Sequence, residues 1–437
     1  MTVETKRLYD KAYVEQFSKA HQEPEWMTTL RLQALEQAYA LDLPKPDKTN
    51  ITRWNFTRFK HTAEKEAAEI TSLQELPETL QDFIDQENIT ENLLIQRDQT
   101  VAYVNVSQEL KDKGVIFTDI FTALRDHEDL VKRYYMKDAV SVDEHRLTAL
   151  HAALMNGGIF VYVPKNVEIE SPLQTIFWQE DPEAALFNHV LVVADESSSL
   201  TYVENYVSNN DEEETIANVV TEVIANDNAN ISFGAVDHFA AGTTTYMNRR
   251  GVAYRDAVID WALGQMNDGH TVFENVTHLV GDNSATHPKT VTVGNGKQIV
   301  NFTTKSVHSG KDSESHILQH GVMKDKSTAI FNAIGKIYNG ASGSNAEQES
   351  RVLMLSEKAR GDANPILLID ENDVTAGHAA SVGRVDPLQL YYLMSRGISK
   401  EEAESLIIFG FLAPVVNLLP IESVKKQLTQ VIERKMS

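Results

Sequence analysis

From Ile159 onward, for about 220 residues, the chain consists of short apolar runs of strand length separated by Asx-, Gly- and Ser-rich turns. No helical stretch long enough to act as a strand crossover interrupts them. One phrase recurs: Val161-Tyr162-Val163 before Pro164 to Asn166, Val192-Val193-Ala194 before Asp195 to Ser199, and Val223-Ile224-Ala225 before Asn226 to Asn228. It returns as Trp261-Ala262-Leu263 before Gly264 to Gly269, His278-Leu279-Val280 before Gly281 to Ser284, and Gly321-Val322-Met323 before Lys324 to Lys326. The turns lie roughly 15 to 42 residues apart, which fits an irregular parallel β-helix better than a propeller with a fixed blade motif. A coil of such a solenoid cannot bury its apolar face alone, so coils stack and the ends need covers.

Helical segments on either side are suited to that covering. Apolar spacing from Tyr9 to Ala40 predicts two short helices broken at Pro24, and residues Gln86 to Val106 read as one or two strands. Asp119 to Met155 returns to helical spacing, with Gly157-Gly158 expected to end that helix. In the tail, Asp386 to Met394, Ser399 to Phe411 and Ile421 to Met436 are three helical candidates. Gly397 stops the first, Ser399 with Glu402 forms a capping box for the second, and Pro414 and Pro420 break the chain beyond it. The expected division is a mainly helical domain over 1–155, a parallel β-helix core over 156–380 and a C-terminal helical domain over 381–437. The tail carries more apolar residues than three small helices need internally, so either a partner or the solenoid covers them.

Composition narrows the function. A formal net charge of -23 repels phosphate backbones and anionic lipid, and no basic patch offsets it, so neither nucleic acid nor membrane is an expected partner. Met1 to Asp10 has no apolar signal core and no stretch matches a spanning helix, which makes a cytoplasmic protein the expectation. The chain has no cysteine, which excludes disulfides, thiol catalysis and a cluster held by its own thiolates.

Searches for catalytic machinery fail one by one, and no enzyme is expected. Gly294-Asn295-Gly296-Lys297-Gln298 lacks the upstream Gly and the Ser or Thr of a phosphate loop, and Gly340 to Gly343 lacks the nucleophile-elbow pattern. His127-Glu128 has Val131 where a zinc-protease helix needs its second histidine. His316 and His320, with Glu314 and His308 nearby, could share an ion on a helix. The local pattern is strand, which sets i and i+4 about 13 Å apart and makes these surface or turn histidines. Trp54 to Phe59 mixes aromatic and basic residues but reads as a packing element at this net charge, and the acidic run Asp211 to Glu214 reads as a solvated loop. His378 remains, between the last strands and the tail. A neutral imidazole suits transient iron binding, although a lone histidine beside small residues is more often structural.

The segment Asn372-Asp373-Val374 through His378, then Val382-Gly383-Arg384-Val385-Asp386, Tyr392 through Ile398 and Glu401-Glu402-Ala403 resembles the C-terminal signature of the SufB and SufD family of iron–sulfur cluster assembly proteins. Ala149-Leu150-His151-Ala152-Ala153 leading into Gly158 to Lys165 is similar to the family's entry into its β-helix. Gln319 to Val322, Gly335-Lys336-Ile337, Gln348 to Ser356, and Leu43-Pro44 followed by Trp54 add to the likeness. It covers roughly residue 40 to the end and is weakest between Ser208 and Arg249.

The resemblance implies a mainly β fold with a right-handed parallel β-helix (β-solenoid) core flanked by N-terminal and C-terminal helical segments. It implies a non-catalytic scaffold that pairs through its C-terminal strands with a SufB-type subunit. It also implies binding of the ATPase SufC through terminal helices, with Leu393, Phe409, Phe411 and Leu412 as candidate SufC-facing side chains. ATP hydrolysis would belong to SufC, in keeping with the missing phosphate loop. No cofactor is expected to bind stably. A transient iron–sulfur cluster would be shared with the SufB-type subunit, and His378 matches the family's candidate iron or cluster ligand. SufB needs thiolates, so a cysteine-free chain falls on the family's other branch. Many relatives carry cysteine two residues before the histidine, where this chain has Ala376. Competing readings are a SufB-like paralogue, a structural β-helix dimer, homodimerisation in isolation being possible in any case, and an exported β-helix polysaccharide hydrolase. The last would need an export signal and paired acids that the sequence does not display.

Overall fold

The computed structural model describes residues 9–63, 70–77, 80, 84, 91–208, 213–419 and 421–436. Among these, strands from Gly157–Val163 to Thr375–Arg384 alternate between two stacks, so that each pair of consecutive strands makes one coil of a β-solenoid. One stack is a 10-stranded sheet and the other a 9-stranded sheet, and pairing along the solenoid is parallel. The coil closes through turns instead of crossover helices, and along one corner each turn is built around a left-handed residue.

At one corner these residues are Asn166, Ser197, Asn228, Asp256, Asn283, Asp312 and Gly343, with φ between 53° and 76°. Asn and Asp tolerate that region better than other side chains, which explains the Asx-rich turns. Each donates its N–H to a turn carbonyl of the next coil: Ser197 to Asp227, Asn228 to Arg255, and Asp256 to Asp282. The repeat along this corner is 31 residues from Ser197 to Asn228 and 27 from Asp256 to Asn283. The wide spacing read from the sequence mixed this corner with another, where the turn residues of Gly264 to Gly269 and Lys324 to Lys326 lie.

The lumen between the sheets is apolar over much of its length, with Phe177, Tyr206, Phe233, Trp261, Phe273, Phe302 and Phe331 packed in one cluster. The outer faces are apolar as well, which is why Asn188–Ala194 and Thr215–Ala225 are buried at every position. Helices Lys11–Ala20, Glu25–Ala40, Ile120–Asp126, Glu128–Tyr134 and Arg146–Leu154 cover the 9-stranded sheet, burying Phe160, Leu191, Val193 and Ile224. Helices Lys400–Val416 and Glu422–Met436 cover the 10-stranded sheet, where Ile408, Leu412, Val424 and Leu428 meet Val203, Val236, Ala262 and Val322. Expected as covers for the solenoid's ends, the helices instead lie on its sides.

Pro24 is the N-cap of its helix, as its missing N–H requires, and Leu93–Arg97 with Thr100–Asn105 realise the strands read near there, residues 86–90 lying outside the described set. The helix before Gly157 ends at Leu154, and the two glycines open the first solenoid strand instead of capping the helix. Gly158 has φ +135°, and a Cβ there would stand 1.9 Å from the His189 carbonyl oxygen. Close backbone approach, not helix termination, sets this residue. Pro414 falls within the last turns of its helix, which runs on to Val416; Pro420 lies outside the described residues. Trp54 stacks on His270 at 4.8 Å, a packing element as read. Asp211 and Glu212 lie outside the described residues.

Candidate functional site

The two ends of the solenoid differ. At its start, Thr100–Asn105 and Ile116–Asp119 run antiparallel to their neighbours and finish each sheet. At its far end, Thr375–Arg384 and Arg360–Ile369 are the last strands, each paired on one side only among the described residues. Ile337 and Val352 are 0% and 2% exposed, whereas Ile369 and Val382, the residues in register with them one coil later, are 38% and 42% exposed. This end leaves open positions that the stacking of one more coil would bury.

His378 lies on this last coil. It is in register with Gln348, and parallel in-register residues share a face. Gln348 is buried and donates to the Ile366 carbonyl oxygen across the lumen at 3.1 Å, so His378 occupies a lumen-side position that is exposed only because the stack ends there. Ala376 stands two residues away on the same face, in register with buried Ala346, and provides no thiol. Among the described residues no three His, Asp or Glu side chains are grouped to hold a metal. The chain therefore offers one imidazole at this surface, and any further ligands would have to come from elsewhere.

The other histidines are placed by packing. His316 is exposed on the strand Glu314–Met323, but His320, four residues on, is 1% exposed and not a surface residue. Its Nδ1 lies 3.0 Å from the Phe411 carbonyl oxygen and its Nε2 3.3 Å from Glu349, which ties the tail helix to the sheet. His308 is buried between the hydroxyls of Ser313 and Ser315. His127 joins two helices, so it and Glu128 do not share one helix face.

Of the four apolar tail residues, Leu412 is fully buried against the 10-stranded sheet, and Phe409 and Phe411 are half-buried against the same cluster. The solenoid face, not a partner, occupies the Leu412 side chain. Leu393 lines a groove of about 420 Å³ with Leu388, Gln389, Tyr392 and Ile407. Around it the helix Pro387–Ser395 exposes Leu388, Tyr391 and Tyr392 at 57% or more. An apolar face of that kind on a short helix suits contact with another protein.

A buried ionic cluster in the lumen went unread in the sequence. Arg249, fully buried, donates to Glu204 at 2.8 Å and to Asp237 at 2.9 Å, and Gln265 also bonds Asp237. Burial holds both carboxyls above the ordinary range, and the guanidinium opposes that rise. The signal was available: Tyr202, Glu204 and Tyr206 alternate along one strand, so a charge sits among residues facing the lumen.

Comparison with known proteins agrees with the architecture. A family model described as the SUF system FeS cluster assembly SufBD core domain matches residues 177–411, and the SufBD protein N-terminal region matches residues 4–175. The iron-sulfur cluster assembly protein SufD of Bacillus subtilis is 63% identical over 438 residues, covering 100% of both chains. SufBD family proteins of Staphylococcus saprophyticus and Staphylococcus aureus are 28% and 27% identical, over 94% of this chain and 89% of theirs.

Proposed function

Because the chain belongs to the SufB and SufD family of the Suf iron–sulfur cluster assembly system, we propose that it serves there as a SufD-type scaffold subunit with no catalysis of its own. The observation that carries this reading is the unfinished far end of the solenoid. Two strand edges and a set of lumen-type side chains are left open there, in the form a second solenoid of the same repeat would continue. A SufB-type subunit pairs with this end, and in isolation a second copy of the chain suits the same edges.

His378 contributes one nitrogen to iron or a nascent cluster at that junction, and cysteine from the SufB-type subunit supplies the thiolates this chain lacks. The cluster is cargo and is passed on; one imidazole does not retain it. The exposed face of Pro387–Ser395 binds the SufC-type ATPase, which hydrolyses the nucleotide. The cytoplasm is the compartment for such a complex, and no described helix is long and apolar enough to cross a membrane.

The test is His378→Ala in a complex co-expressed with SufB-type and SufC-type subunits. Cluster yield falls severalfold while all three chains still co-purify. A normal yield rejects the ligand role, and failure of the unaltered chain to co-purify with them rejects the scaffold reading.

A further inference from the structure

His151 belongs to the stretch Ala149 to Ala153 that marks entry into the solenoid, yet a scaffold role gives it nothing to do. It is fully buried where the helix Arg146–Leu154 meets the 9-stranded sheet. Its Nδ1 lies 3.1 Å from the carbonyl oxygen of Asn218, and its Nε2 lies 3.1 Å from Nδ1 of His189. Nε2 of His189 in turn lies 3.1 Å from Oε1 of Glu222. Glu222 also accepts the backbone N–H of Met136 at 2.6 Å and of Val140 at 3.3 Å, both in the helical layer. His189 and Glu222 are as fully buried as His151.

Counting donors fixes the protons. A carbonyl oxygen only accepts, so His151 donates from Nδ1 to Asn218. A neutral His151 then accepts at Nε2, and His189 must donate from its Nδ1. That leaves Nε2 of His189, an acceptor, facing a carboxyl oxygen, and two acceptors do not meet at this distance without a proton between them. Changing tautomers does not help. With Glu222 ionised and His189 donating from Nε2, acceptors face each other either between the two rings or at Asn218. We propose that His151, His189 and Glu222 form a buried binding site for a single proton, carried by Glu222 and shared with His189, that fastens the helical layer to the solenoid.

The surroundings favour neutral imidazoles and a protonated carboxyl. Burial pushes Glu222 up to about 8 and His189 down to about 3, and it lowers His151 as well. The Tyr135 ring packs on His189 at 4.1 Å, with its hydroxyl held neutral by burial. Arg31, buried and paired with Glu23, opposes a proton on His151, while the charges of Asp138 and Glu144 favour one on Glu222. The ring nitrogens follow one another in file instead of converging, which suits a proton and not a metal ion.

A carboxyl raised by folding contributes stability that is complete below its unfolded value of 4.5 and lost as pH rises through about 8. Between about pH 5.5 and 7.5, opening of this junction releases close to one proton from Glu222, while His151 and His189, held neutral by burial, take protons up as they are exposed below their ordinary value of 6.5 and offset that release. Hydrogen exchange on the full chain reads this directly at the Met136 and Val140 amides, as protection factors corrected for the intrinsic pH dependence of exchange. The histidine contributions are common to wild type and Glu222→Gln, so wild-type protection divided by that of the variant, which cannot ionise, falls nearly tenfold per pH unit over this range. A pH slope that the substitution leaves unchanged overturns the proposal. Should the variant not fold, nitrogen-15 NMR of labelled histidine in the wild type decides. Both rings neutral and protonated on Nδ1 support the site, and an imidazolium at His189 overturns it.

Discussion

At the residue scale, a charge is readable from sequence as a letter but not as a location. Arg249 and Arg250 are adjacent and look alike, yet alternation puts the first in the lumen with Glu204 and Asp237, and the second among Glu144 and Glu274 on the outer face. A buried ion pair gains little over apolar packing, but breaking one strands the partner charges. Arg249→Met should therefore cost about 3–5 kcal/mol in denaturant unfolding at neutral pH. Adding Glu204→Gln and Asp237→Asn should recover most of the loss, because nothing ionised then remains unpaired. If the single change is neutral, the cluster is not the buried ionic lock its geometry describes. His378 was found for a different reason: recognition of the surrounding segment, not its own spacing, singled it out. Its place on the lumen side of the last coil became visible only through its register with Gln348.

At the element scale, local signals were legible and packing directions were not. Ser399 and Glu402 form the capping box that their spacing announces. The same helix continues through Pro414 because Leu412 and Val415 bury on the sheet beneath it, a tertiary gain that local propensity does not contain. The last helix is seated still more closely. Leu428 fills the space a side chain at Gly264 would occupy, and buried Lys435 donates to the carbonyl oxygens of Asn267 and Val293 and pairs with Asp268. Leu428→Ala should cost about 2–5 kcal/mol, the range for a buried leucine whose cavity cannot collapse onto a rigid sheet. Faster hydrogen exchange confined to Glu422–Met436 would show that the loss is undocking of this helix. Exchange rising evenly through the solenoid would contradict that picture.

At the scale of the whole molecule, the turn residues carried the solenoid in plain view. The assignment of covered and open surfaces did not follow from them, because strands buried on both faces read as continuous apolar runs that name no neighbour. Among the described residues both sides are roofed by helices and one end is not, and the proposed association with a partner belongs to that end. Ile369 and Val382 make it testable, since each repeats a position that is buried one coil earlier and each is exposed here. Replacing both with lysine leaves the free chain within about 0.5 kcal/mol of its original stability, as exposed substitutions away from special features generally do. The same two charges, desolvated without partners in a junction between solenoids, should weaken that junction at least tenfold. Sedimentation of the purified chain and co-purification with a SufB-type subunit read the association, and thermal unfolding reads the fold. Lost pairing with an unchanged melting temperature assigns the open end to the partner. Retained pairing removes that assignment and, with it, the site for a ligand at His378.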